Sequence, residues 1–276
     1  PVPQPQEIHP MSRFSTALLL AALSGLAHAD LALPELSDAE LGWLGEQIYT
    51  NECNRAAACL TAWNEGEEFP SLGIGHFIWY QAGQDGIYQE TFPALLQHLQ
   101  SRGHELPAWV LEHEFEQPWP DRASFLAARD GAELVALRTL LERSLADQTA
   151  FIVQRFQAAI PALLATVAPQ ERASLEHKLA AVAVSAPPRG LYALIDYIHF
   201  KGEGTRAEER YAGQGWGLLQ VLEAMPEHAE DPLEAFIAAA DATLTRRVAN
   251  APSERREERW LAGWRNRLAS YRAPAQ

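Results

Sequence analysis

Between Ser71 and Tyr80 the chain reads Ser-Leu-Gly-Ile-Gly-His-Phe-Ile-Trp-Tyr, its one clear β signal, with glycines for a turn and β-branched and aromatic residues beside them. Nearly everything around it is patterned for helix. Ser37-Asp38-Ala39-Glu40 has the form of a capping box, and Leu41, Leu44 and Ile48 follow at helical spacing. A second short helix is expected to end near Glu65-Gly66. Residues 106–120 hold Pro107, Pro118 and Pro120 and read as an irregular linker around a short helix. Ala/Leu-rich helical patterns cover 122–165, 169–183 and 191–200, and helices return from Trp216 to the end. The pattern predicts an α+β chain, mainly α, built around one small hairpin.

Residues 11–29 carry a basic start, a short apolar run and Ala27-His28-Ala29, the form of a secretory signal cleaved after Ala29. The apolar run falls well short of the roughly 20 residues that span a bilayer. Residues 1–10 read as a leftover or misassigned start, and 30–276 as one catalytic domain. The protein is expected to be periplasmic or secreted, with no membrane span after signal removal.

A formal charge of −14 excludes a nucleic-acid binder of the usual kind, because neutralising phosphates takes a surplus of Lys and Arg. Cys53 and Cys59 are the only cysteines, and export would let them form a disulfide. On one unbroken helix they would stand roughly 9 Å apart, beyond disulfide reach. A bond therefore requires a break between them; the alternative is two free thiols on a continuous helix.

Trp63-Asn64-Glu65-Gly66, followed shortly by Ser71-Leu72-Gly73-Ile74-Gly75-His76, resembles phage-type lysozymes. In that family a helix ends at a catalytic Glu-Gly and a hairpin reading Thr-Ile-Gly-Ile-Gly-His crosses beneath the substrate. The resemblance implies a lysozyme-like fold of two helical lobes around the hairpin. By position it makes Glu65 the general acid, Ser71 the counterpart of the catalytic Thr, and Gly73, Gly75 and His76 the hairpin. The connecting loop is shorter here, and the family's Asp between Glu and Thr has no counterpart. The longer string through Tyr80 is similar to exported bacterial lysozyme-like proteins, among them a lysozyme acting on deacetylated peptidoglycan.

The chemistry agrees with the resemblance. Cleaving a glycoside takes a carboxylic acid still protonated near neutral pH, and burial beside apolar groups raises a Glu into that range. Trp63, Phe69 and Leu72 are expected to wall Glu65, with Glu67 and Glu68 adding like-charge repulsion. Ser71 is placed to orient the attacking water, and Trp79 and Tyr80 to stack on sugar faces.

A second string, Asp196 to Gly204 with Gly215-Trp216-Gly217-Leu218-Leu219-Gln220 and Met225-Pro226 after it, resembles soluble lytic transglycosylases. It departs from them at Leu219, where that family has Met, and at Gly204, where it has Ser. Glu203 thus becomes a second catalytic carboxylate or a substrate ligand, with Trp216 and Gln220 beside the substrate. His113-Glu114-Phe115-Glu116 lacks the second His of a zinc protease motif, and no phosphate-binding glycine loop occurs, so neither a metal nor a cofactor is expected.

The sequence thus points to a glycoside hydrolase cleaving peptidoglycan or another amino-sugar glycan. Net acidity suggests a preference for deacetylated glycan, whose ammonium groups an acidic cleft attracts. The alternatives are a lytic transglycosylase using Glu65 or Glu203, and a non-catalytic glycan-binding protein.

Overall fold

The computed structural model describes residues 33–84, 86 and 89–272, so the expected signal at 11–29 lies outside the described residues. Helix α1 (Asp38–Cys53) starts as the sequence predicts. The Ser37 hydroxyl accepts from the Glu40 amide, while the Glu40 carboxylate accepts from the Ser37 amide at 2.8 Å. The helix stops where Asn54 and Arg55 turn left-handed, at φ 47° and 57°. That break brings Cys59 back to Cys53 with the Cα atoms 5.4 Å apart, and the disulfide forms.

After the break the chain does not build the expected second helix ending at Glu65. A single 3-10 turn, Ala57–Leu60, runs straight into strand β1 (Thr61–Ala62). The short disulfide loop and the pairing of Thr61 with Leu72 commit these residues to the sheet instead. Strands β2 (Ser71–Leu72) and β3 (Phe77–Ile78) complete an antiparallel sheet of order β1-β2-β3, with Ser71 opposite Ile78. The hairpin stands where the sequence puts it, and the loop 63–70 that carries Glu65 hangs between β1 and β2.

Helices then follow: α2 (Phe92–Ser101), α3 (Ala108–Glu112), α4 (Arg122–Ala127), α5 (Ala132–Arg143), α6 (Leu145–Ala165), α7 (Pro169–Ala183) and α8 (Arg189–Lys201). The 122–165 stretch is three helices, parted at Gly131 and Ser144. Beyond Lys201 a second two-stranded ladder intervenes, β4 (Arg210–Tyr211) with β5 (Gln214–Gly215), which the sequence pattern did not reveal. Helices α9 (Leu218–Ala224), α10 (Pro232–Asn250) and α11 (Glu258–Ser270) end the described chain. The fold is mainly α with small antiparallel sheets. No helix among the described residues is long and apolar enough to cross a membrane.

Helix α8 is the axis of the core. Residues 190–197 of it are all buried, so it presents no polar face to solvent over two turns. Asp196 is the exception in chemistry, a carboxylate inside that apolar column and 1 % exposed. Helix α1 lies along α6, and α8 packs against both α6 and α7. The C-terminal end of α1, the hairpin turn and the last turns of α8 thereby come together.

Candidate functional site

The hairpin turn is held from below by one side chain. Gln148, fully buried on α6, accepts from the Ile74 amide at 3.0 Å and donates to the Leu141 carbonyl and the Ser144 hydroxyl. Gly73 has φ +68°, and a Cβ there would fall 2.5 Å from the Gln148 amide oxygen; a Cβ on Gly75 would fall 2.6 Å from the Phe77 ring. Packing of the turn itself, and not only room for a ligand, therefore demands both glycines.

Above the hairpin runs an open groove of about 800 Å³. Ser71, His76 and Ile78 form its floor, Phe69 and Tyr80 one wall, and Asn64, Gly66, Glu67 and Glu68 an acidic rim, with His199 of α8 facing them. The Ser71 hydroxyl has no hydrogen-bond partner among the described residues and is free to meet a ligand. His76 rests its Nε2 against the disulfide, 3.6 Å from Cys59 Sγ and 3.9 Å from Cys53 Sγ. Those three residues are the one ligand-like cluster among the described residues, but the sulfurs are spent on each other and hold no metal in this state.

Glu65 stands exposed on the rim loop between two groove residues, Asn64 and Gly66. Of the three walls expected around it, Phe69 lines the groove and the other two face elsewhere. Trp63 packs edge-on against Phe125 with its indole donating to the Glu67 carbonyl, and Leu72 is wholly buried. Trp79 is also wholly buried, against Phe92, Trp109 and Trp119, so it offers no face to a sugar. Tyr80 does line the groove, stacked edge-on with Phe69 at 5.2 Å.

The transglycosylase-like string folds into a structural joint. Gln220 accepts from the Gly217 amide and donates to the Gly204 carbonyl, both at 3.1 Å, and is 7 % exposed. Trp216 is 6 % exposed, with the Tyr211 ring at 4.6 Å and the Arg247 guanidinium 4.0 Å above it. Neither is available to a glycan. Glu203 is half-buried and lines a small cleft that adjoins the groove at His199.

The sequence reading missed a charged cluster near His199. Arg267 of α11 donates Nε to Asp196 Oδ2 and Nη2 to Asp196 Oδ1, each at 2.8 Å, and Nη2 also reaches Glu52 Oε1. Asp196 accepts further from Tyr271 at 2.7 Å and from Asn51 at 3.3 Å. Glu52 has no second donor: its other oxygen makes no hydrogen bond to a described residue. Its side chain is 14 % exposed, in the last turn of α1 and one residue before the disulfide that touches His76.

These charges reach the groove through His199. Desolvation by the surrounding protein atoms lowers its imidazole below the ordinary histidine range even though the residue keeps an exposed face, opposed by the nearby Glu52 and Asp196 carboxylates and assisted by His76 and Arg267. Tyr271 is pushed well up by burial and by Asp196, which keeps it a hydrogen-bond donor. The groove of about 800 Å³ thus carries a histidine and a hydroxyl without a hydrogen-bond partner among the described residues, and the largely buried Glu52 carboxylate lies close enough to His199 to act on its charge. No family model, curated protein or solved structure matches the chain.

Proposed function

We propose that the chain is an exported, lysozyme-like glycoside hydrolase that takes a peptidoglycan strand in the groove over the β2–β3 hairpin, with Glu52 as general acid. The observation that carries this reading is the state of Glu52: largely buried, fixed by Arg267 through one oxygen, and through the other not bonded to any described residue. A general acid needs a defined position and a site shielded from bulk water. Glu65, exposed on a loop, has neither.

In this mechanism the open oxygen of Glu52 carries the proton and gives it to the bridging glycosidic oxygen. The bond to the anomeric carbon breaks, positive charge develops on the sugar, and water adds to that carbon and gives its proton to the surrounding solvent. Ser71 orients the water. Asp196, saturated with donors, serves to hold Arg267 and does not touch the substrate.

The sequence-based choice of Glu65 as acid remains the second reading, favoured by its two neighbours on the groove rim, Asn64 and Gly66. Glu67 and Glu68 on the same rim support the preference for deacetylated glycan, since they set negative charge where an amino sugar's ammonium group would pass.

The test is incubation of the purified protein with native and chemically deacetylated peptidoglycan, with fragments read by mass spectrometry. Reducing-end fragments, released faster from the deacetylated polymer, support the proposal. Anhydro ends would make the protein a transglycosylase, equal rates would remove the acetylation preference, and binding without cleavage would leave a glycan-binding protein.

A further inference from the structure

Beside the groove, on the far side of His199, lies a cleft of about 180 Å³ between α6 and α8. Ile152, Arg155, Phe156 and Ala159 line it from α6, at the spacing of one helix face. Ile198 and His199 line it from α8, with Phe77 of the hairpin as its end and Glu203 just past α8. Arg155 is the only cation on these walls, and it makes no hydrogen bond or ion pair with any described residue. Glu203 faces the same space yet is bonded only to Thr205, at 3.4 Å. Two opposite charges in one cleft that do not pair with each other leave both available to a ligand.

We infer that this cleft is a subsite for a carboxylate-bearing side group of the glycan, with Arg155 as its anion ligand and Glu203 accepting from an N–H beside that carboxylate. The inference rests on the reading that a glycan occupies the groove. The space is smaller than the 300–1,000 Å³ typical of pockets that hold a whole small molecule. It therefore takes a substituent, while the polymer backbone stays in the larger groove that meets it at His199. The guanidinium suits a carboxylate because its fixed fork matches two carboxylate oxygens. Arg155 is exposed where it enters the cleft, so its contact with a carboxylate is open to screening by salt. An overall acidic protein thereby gains one local site where a carboxylate is attracted, and the glycan it selects is one that carries acid groups as well as amino groups.

The test is calorimetric titration of the parent and R155Q with an amino-sugar disaccharide bearing one lactyl carboxylate, with its methyl ester, and with an uncharged chito-oligosaccharide. Circular dichroism and melting establish that R155Q folds. The parent is expected to bind the acid at least tenfold more tightly than the ester, with the margin shrinking as salt rises. R155Q should erase that ratio and R155K retain part of it. Equal binding of acid and ester by the parent, or an undiminished ratio in R155Q, overturns the subsite while leaving the glycan reading intact. Failure of the parent to bind any of the three sugars overturns both.

Discussion

Arg267 reaches Glu52 across 215 residues of sequence, tying the end of α11 to the end of α1. The same guanidinium holds Asp196 with two bonds. Removing one member of such a set leaves a buried charge without its counter-ion, which costs about 3–5 kcal/mol. D196A should therefore lose about that much stability in urea melts. The double variant D196A/R267M should lose less than the sum of its two single variants, because neither Asp196 nor Arg267 is then left facing the other's empty place and only the Glu52 carboxylate loses its partner.

Lys201, at the end of α8, places its amine 3.9 Å from the Phe200 ring centre and 3.6 Å from that of Trp264. Burial, then repulsion from Arg247, lowers it to about 7, with Glu257 pulling the other way. The folded state thus binds fewer protons than the unfolded chain between pH 7 and the ordinary lysine value of 10.5. Stability from this group is lowest below pH 7 and rises as pH climbs through that window. Melts of K201M should show a flatter stability profile between pH 7 and 10 than the parent; an unchanged slope would mean that Lys201 keeps its proton.

Glu257 titrates in the opposite sense. Burial would raise it, but hydrogen bonds from Arg247, Arg255 and Tyr211 outweigh burial and hold it at about 2. Its contribution is present above the ordinary carboxylate range and is lost as pH falls from about 4.5 toward 2. E257Q should be less stable than the parent at neutral pH, with the difference narrowing in acid melts toward pH 2.

The hairpin turn depends on Gly73. Substituting Ala forces a left-handed φ on a residue with a side chain, at about 1–2 kcal/mol, and pushes its methyl into Gln148. G73A should melt earlier than the parent and weaken glycan binding together with stability. Q148A, which removes the obstacle but also the bond to Ile74, should not rescue it.

Reduction of the Cys53–Cys59 disulfide opens a short loop, so chain entropy assigns the bond only about 2 kcal/mol. Its position gives it a second consequence. It ends the helix that carries Glu52 and supports His76, so C53S/C59S should lose activity beyond what its melting shift accounts for.

The hairpin was legible in the sequence because its signal is local: two glycines, β-branched and aromatic residues within ten positions. The capping box and the cysteine pair were legible for the same reason. The β4–β5 ladder was not, since two-residue strands carry no alternation to detect. Glu65 drew attention through its neighbours in the chain, whereas Glu52 owes its position to Asp196 and Arg267, which no local pattern connects to it. One local sign did exist. Glu52 is an acid in the last turn of a helix, where the unpaired carbonyls favour cations, so its presence there asks for a compensating partner. Trp79 and Trp216 illustrate the opposite error: large aromatic residues beside a motif suggested contact with the substrate, and both are buried.

The most direct test of Glu52 compares E52Q and E65Q with the parent on deacetylated peptidoglycan, with circular dichroism to verify that both variants fold. If Glu52 is the general acid, E52Q should lose at least a hundredfold in fragment release, within the range general acid catalysis supplies, while E65Q stays within a few-fold of the parent. Full activity in a folded E52Q, with loss in E65Q, would contradict the assignment and return the acid to the rim loop.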